Sequence, residues 1–90
     1  MTYKSGEIVV LTTKRGENWN KLGHMDSYCG AIVQLTETTS EHNINFAKSN
    51  RWCFQQADIL RAATADEIEA YKKGIRNIKG LIQKQLPIFN

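Results

Sequence analysis

A turn rich in small and polar residues leads directly into an apolar run, and this junction constrains the fold more than any other stretch of the chain. The turn spans Met25 to Gly30, and the apolar residues are Ala31 to Val33. A glycine at the entrance of a strand permits a sharp bend or the close approach of another backbone, which a side chain would prevent. We therefore interpret the junction as the hinge of a small β-barrel.

Short segments typical of β-strands surround this hinge. Five of the seven residues from Glu7 to Thr13 are β-branched, which suits a pleated, partly buried surface. Polar and apolar residues alternate around Trp52 and Phe54, which predicts that these two aromatic side chains face inward. The predicted strands are Glu7–Thr13, Gly30–Thr36, Asn43–Ala47, Arg51–Gln55 and a short Gln56–Leu60, with polar turns at Thr38–Asn43 and Lys48–Asn50.

The C-terminal part of the chain has the pattern of a helix. Thr64 and Glu67 form a capping box, in which each side chain satisfies a backbone N–H of the other residue. An apolar seam with helical spacing follows, and Pro87 ends the predicted helix by Leu86. The seam either packs on the barrel or contacts a partner or a second copy of the chain. It consists of Ile68, Tyr71, Ile75, Ile78 and Ile82, interrupted by Gly74 and Gly80, which weaken a helix.

The length of the chain limits it to one modest core. Of its 90 residues, 41% are apolar and 23% are charged, which is ordinary for a globular protein. We expect a mainly β fold: a small five-stranded SH3-like barrel over residues 1–63, from Gly6 to about Arg61, and a C-terminal α-helix with its tail over residues 64–90. The tail belongs to the same domain or forms a self-association arm. No apolar run approaches the roughly 20 residues that span a bilayer, so we predict a cytoplasmic protein that does not contact membranes.

Two blocks of the sequence resemble a type of small SH3-like barrel protein encoded by bacteriophages and prophages. The first block is a turn with Met25, Tyr28 and Gly30 before an apolar strand. The second block contains an aromatic strand, an acidic residue with a short apolar segment, and a helix start, here Trp52, Phe54, Asp58-Ile59-Leu60, Ala63, Thr64, Glu67 and Ile68. A weaker similarity, through Trp19 and the strand after Gly30, is to SH3-like repeats of ubiquitin-ligase type. The resemblance implies a five-stranded barrel and a phage or prophage origin.

The sequence contains none of the short motifs that indicate catalysis. It has no glycine-rich phosphate loop, nucleophile elbow or His-Glu-x-x-His pair, so we predict no enzymatic activity, no catalytic residues and no cofactor. Cys29 and Cys53 fit no metal-ligand spacing with His24 or His42, and we expect no metal. Buried free thiols are the favoured interpretation of the two cysteines, with a disulfide as the alternative.

Two kinds of binding remain. The favoured hypothesis is a protein-interaction module, a phage or prophage accessory factor that docks on and modulates a host protein in the bacterial cytoplasm. Its predicted contacts are Trp19 and Leu22 in the long loop Lys14–Met25 and, in the helical seam, Tyr71, Ile75, Ile78 and Ile82, which also offer a route to a homo-oligomer. An alternative interpretation of Trp19 is that its side chain packs on the core and holds the loop in place.

The alternative hypothesis is a nucleic-acid-binding barrel. Basic residues beside an aromatic platform are typical of such proteins, and Trp19 or Trp52 could provide the stacking surface. The net charge of +3 permits this function but is small for a protein dedicated to nucleic acid. The candidate basic residues are Lys14, Arg15, Lys21, Lys48 and Arg51.

Overall fold

The described part of the chain folds into one antiparallel sheet of five strands followed by two short helices. The computed structural model describes residues 3–12 and 28–85, with side chains up to Leu81. The strands are β1 (Ile8–Leu11), β2 (Ala31–Glu41), β3 (Ile44–Ser49), β4 (Cys53–Gln55) and β5 (Ile59–Ala62); a 3-10 helix spans Gln56–Asp58, and the helices are α1 (Ala65–Lys72) and α2 (Ile78–Gln85). The predicted mainly β class, with five strands and a C-terminal helical region, is confirmed.

The predicted closure of the sheet into a barrel is wrong. The strand order is β4-β3-β2-β1-β5, so β4 and β5 form the two edges. Within the described part of the chain these edge strands do not pair with each other. β4 has only three residues, and the 3-10 helix that follows it turns the chain away before β5 begins at Ile59. The predicted strand Gln56–Leu60 is therefore a 3-10 helix in its first half.

β2 is the longest strand and belongs to both halves of the sheet. Its first part, Ala31 to Gln34, pairs with β1, and its second part pairs with β3 as far as Glu41. The predicted polar turn over Thr38–Asn43 is consequently too long. Only His42 and Asn43 form the turn, with φ angles of 51° and 65°, the left-handed conformation required by a tight two-residue hairpin.

The sheet buries apolar side chains on both faces where β1 and β2 pair. The larger core lies on one face, where Phe54 is buried and Trp52 packs against the cluster from its margin, as the alternation predicted. That cluster consists of Val9, Leu11, Tyr28, Ala31, Val33, Leu35, Ala47, Phe54 and Ile59. Val10 and Ile32 alternate onto the opposite face and expose no surface either, because α1 lies against β2 on that side.

The alternation also places the second cysteine outside the core. Cys53 is exposed and Cys29 is half-buried, and both thiols are free. The prediction of buried thiols was therefore wrong for Cys53, because Phe54 occupies the inward-facing position beside it.

The hinge glycine allows the tail to approach β2, as the sequence predicted for a close backbone contact. Gly30 has a φ angle of +81°, and a Cβ atom at this position would lie 2.9 Å from Ile78 Cγ1. The Ile78 N–H donates to the Gly30 carbonyl oxygen at 3.0 Å, and the Ile32 N–H donates to the Arg76 carbonyl oxygen at 2.9 Å. The Asn77 side chain adds a bond to the Cys29 carbonyl oxygen at 3.0 Å. Residues 76–78 thus lie along β2 and form an isolated antiparallel bridge, with Asn77 opposite Ala31.

This docked segment interrupts the helix that the sequence predicted as continuous. Gly74 has a φ angle of +102°, which ends the helical geometry soon after Lys72. The apolar seam is therefore divided between α1, the docked segment and α2, although Tyr71, Ile75 and Ile78 are all half-buried. Among the described residues no helix is long and apolar enough to cross a membrane.

The predicted capping box is confirmed, and it is joined by an ion pair from β5. The Glu67 N–H donates to Thr64 Oγ1 at 3.2 Å, and the Thr64 N–H donates to Glu67 Oε1 at 2.8 Å. Arg61 holds both oxygens of the same carboxylate, at 2.5 and 2.7 Å. The hydrogen bonds from Arg61, assisted by those from Thr64, outweigh the effect of burial and lower the pKa of Glu67 to about 2.

We predict that Gly30→Ala loosens the docked tail. The substitution combines a strained backbone with a clash against Ile78, so it should lower the free energy of unfolding by about 2–4 kcal/mol in urea denaturation. Gly74→Ala is the matched control, because Gly74 also has a positive φ angle but no atom within 4 Å of the added Cβ. Equal losses in the two variants would contradict a steric role for Gly30.

We also predict that Glu67 makes stability depend on pH in the acid range. Its pKa in the folded protein lies below the unfolded value of 4.5, so the stabilisation is complete above that value and is lost as the pH falls towards 2. Glu67→Gln should cost about 1–3 kcal/mol at neutral pH and progressively less in acid, as measured by urea denaturation across this pH range. Glu69→Gln, at an exposed position of α1, should have little effect; a constant cost of Glu67→Gln at every pH would refute the linkage.

Candidate functional site: a cleft lined by two arginines

A cleft of about 270 Å³ lies where β2, the turn between β3 and β4, and the helical tail meet. Residues Ile32–Gln34 of β2 contribute one part of its lining, and Ser49–Trp52 of the turn contribute another. Tyr71 from α1 and Arg76 from the docked segment complete the lining. We call this space the arginine cleft, because Arg51 and Arg76 are the charged residues of its described lining.

Each of the two arginines packs over an aromatic ring. Arg51 Cζ lies 4.6 Å from the centroid of the Trp52 ring, and Arg76 Cζ lies 4.1 Å from the centroid of the Tyr71 ring. Both distances are within the range of cation–π attraction. Arg76 Nη1 also donates to the Tyr71 carbonyl oxygen at 2.5 Å, which further limits its motion.

The Trp52 ring is itself packed against the protein interior. The Trp52 ring meets Tyr28 edge to face, with centroids 5.3 Å apart and an angle of 73° between the planes. Tyr28 is buried, and its hydroxyl group donates to Asp58 Oδ2 at 3.2 Å. Trp52, in the lining of the arginine cleft, thereby contacts the hinge turn through Tyr28, and Tyr28 in turn is bonded to Asp58 of the 3-10 helix.

Ser49 shapes the turn that carries Arg51 and Trp52. Its Oγ accepts from the backbone N–H groups of both residues, at 3.3 and 3.2 Å. Its own N–H donates to the Trp52 carbonyl oxygen at 2.9 Å, which closes the turn. A short hydroxyl side chain that replaces a backbone partner is typical of such turns.

The lining of the arginine cleft is cationic. Both guanidinium groups are positively charged, and the lining residues that the structure describes include no Asp or Glu. The side chains of Gln34, Ser49 and Asn50, which also belong to the lining, are polar and carry no charge. The cleft is therefore complementary to an anion, and its guanidinium groups present the planar donor geometry that suits carboxylates and phosphates.

A second cavity, of about 360 Å³, lies beside the β2–β3 hairpin. Its described lining consists of residues 43–45 and 55–57, which include no charged side chain. Because amides and small apolar groups select a ligand less strongly than a pair of fixed charges, we consider the arginine cleft the better candidate site.

The structure brings only some of the predicted site residues together. Arg51 and Tyr71 line the arginine cleft, whereas Lys48 lies outside its lining, with Nζ 3.8 Å from Glu37 Oε2. Ile75, which precedes the docked segment, and Ile78, its last residue, are half-buried. The predictions that involve Trp19, Leu22, Lys14, Arg15, Lys21 and the side chain of Ile82 lie outside the described residues.

Arg76 is the site residue that sequence reasoning missed. The sequence predicted a continuous helix through this position, and Arg76 was not among the candidate site residues. Gly74 indicated that the helix was weak at this point, but no local pattern indicated that the chain would continue along β2 and carry Arg76 to Tyr71.

The described residues offer no cluster that suits a metal ion, since no three His, Cys, Asp or Glu side chains among them lie close enough together. An arginine side chain does not release its proton in proteins, so the two guanidinium groups of the arginine cleft provide fixed positive charges. The arrangement can hold an anionic group in place and orient it.

Comparisons of the chain with family models, with curated proteins and with solved structures found no match. The arginine cleft is therefore interpreted from its own residues.

Proposed function

We propose that the protein is a non-catalytic interaction module that binds an acidic segment of a partner protein in the arginine cleft. The observation that carries the proposal is the pair of guanidinium groups, each packed over an aromatic ring, in a lining whose described residues include no acidic side chain. A carboxylate can accept two parallel hydrogen bonds from one guanidinium group, so two arginines provide enough donors for one acidic group or two neighbouring ones.

Immobilised guanidinium groups favour binding more than free ones do. A free arginine side chain carries about 2 kcal/mol of rotamer entropy, much of which is lost when it is held by a ligand. In the arginine cleft Trp52 and Tyr71 already restrict the two side chains before any ligand arrives. The cost of ordering them on binding is correspondingly smaller.

Several features favour a protein partner over nucleic acid. One face of each aromatic ring already carries a guanidinium group, and the Trp52 ring also contacts Tyr28, which leaves less ring surface for stacked bases. Among the described residues of the basic set, Lys48 lies beside Glu37 and contributes little net charge. Proteins that bind a strand of nucleic acid normally place a longer row of basic residues along its backbone.

The wider biological setting stays a prediction from the sequence. A host protein as the partner, a phage or prophage origin, action in the bacterial cytoplasm and self-association through the helical tail are all compatible with an acidic ligand in the arginine cleft. The nucleic-acid alternative shares Arg51 and Trp52 with the proposed site, so the experiment must separate the two.

The proposal predicts that acidic peptides are selected by the protein. Short random peptides, displayed both at a free C-terminus and within a loop, are panned against the nuclease-treated full chain, and affinities are measured by fluorescence anisotropy with a synthetic peptide. Arg51→Gln and Arg76→Gln should each weaken binding about tenfold or more, because hydrogen bonds to charged groups contribute about 1.5–3 kcal/mol.

Lys48→Gln and Lys79→Gln are the matched controls. Each removes one positive charge from an exposed side chain outside the lining of the cleft, as the arginine variants do within it. Circular dichroism and thermal melting verify that all four variants are folded. Equal losses of affinity in all four, or capture of nucleic acid with a steep salt dependence in place of peptides, would contradict the proposal.

A further inference from the structure

The floor of the arginine cleft is a short gap along one edge of β2. On the β1 side the first part of β2 is fully paired, from Ala31 to Gln34. On the opposite side two different segments cover it: the docked segment lies beside residues 30–32, and the last residue of β3, Ser49, lies opposite Leu35. Between these two segments lie Val33 and Gln34, which line the cleft.

The gap is too short for a peptide to pass through as an added strand. The Arg76 backbone stands at one end, bonded to the Ile32 N–H, and the turn after Ser49 stands at the other. Strand addition requires a run of several residues along a free edge, and strands of fewer than about three residues are uncommon. The end of a chain can enter such a gap, whereas the middle of an extended chain cannot.

The backbone of β2 directs a hydrogen-bond donor towards the same gap. The N–H and C=O groups of Leu35 point to the β1 side, where they bond Glu7 and Gly6 at 2.9 and 2.7 Å. Because these groups alternate along a strand, the Gln34 N–H points to the opposite side. The Ile32 N–H, two residues earlier, points the same way and donates to Arg76.

We infer that the group bound in the arginine cleft is the C-terminal carboxylate of the partner chain. This inference rests on the proposed function and specifies its ligand. A terminal carboxylate has two oxygens with four acceptor positions and no chain continuing beyond it, so it fits a gap closed at both ends. Arg51 and Arg76 provide the charge, and the Gln34 N–H provides a donor of fixed direction. Capture of a chain terminus by backbone N–H groups is a known mode of peptide recognition.

The inference is tested with a peptide from the selection above, synthesised with a free C-terminal carboxylate and with a C-terminal amide. Amidation should lower the affinity of the full-length protein at least tenfold. Replacing an internal Glu of the same peptide by Gln should cost less. In NMR spectra of the labelled protein, the Gln34 backbone amide should shift on addition of the free-acid peptide and much less on addition of the amide.

A double-mutant cycle identifies the residues that hold the carboxylate. Arg51→Gln and Arg76→Gln should weaken the free-acid peptide about tenfold and should hardly affect the amide, because the partner of the arginine is then already absent. Lys48→Gln should affect both peptides equally. If the acid and the amide bind equally well, the inference is overturned while the proposed function stands. If neither form binds, or if only nucleic acid binds, both fail.

Discussion

The architecture depends on one backbone contact, the docking of residues 76–78 along β2. Two hydrogen bonds, at Gly30 and Ile32, and the Asn77 side chain hold this segment in place. The contact is possible because Gly30 has no side chain: a Cβ atom would collide with Ile78. A single glycine at the hinge therefore decides whether the helical region can pack against the sheet.

The docked tail has two consequences for the rest of the molecule. It brings α1 over the second face of the sheet, where Val10 and Ile32 are fully buried, so a chain of this size gains a second apolar layer. It also carries Arg76 to the end of the gap in β2, opposite the turn that holds Arg51. The same contact thus stabilises the fold and completes the arginine cleft, which means that a loss of docking would affect both.

The arginine cleft also depends on the larger core. Trp52 supports Arg51 on one side and contacts Tyr28 on the other, and Tyr28 is bonded to Asp58 in the 3-10 helix. Ser49 organises the turn through local bonds only. A site on a turn usually loses precision to backbone motion, and here the turn is fixed by a packed aromatic residue and a hydroxyl group.

Local patterns in the sequence determined the kinds of element and several of their details: the β-branched first strand, the capping box of Thr64 and Glu67, the inward position of Phe54 and the need for a glycine at position 30. These features depend on neighbours a few residues apart, so propensity and periodicity can identify them. The tertiary structure alone decided that the sheet stays open, that the predicted single helix breaks into two, and that Arg76 meets Tyr71 beside Arg51 and Trp52. Those outcomes depend on which segment covers the free edge of β2. Such contacts join residues that are far apart in the sequence, so a local pattern does not predict them.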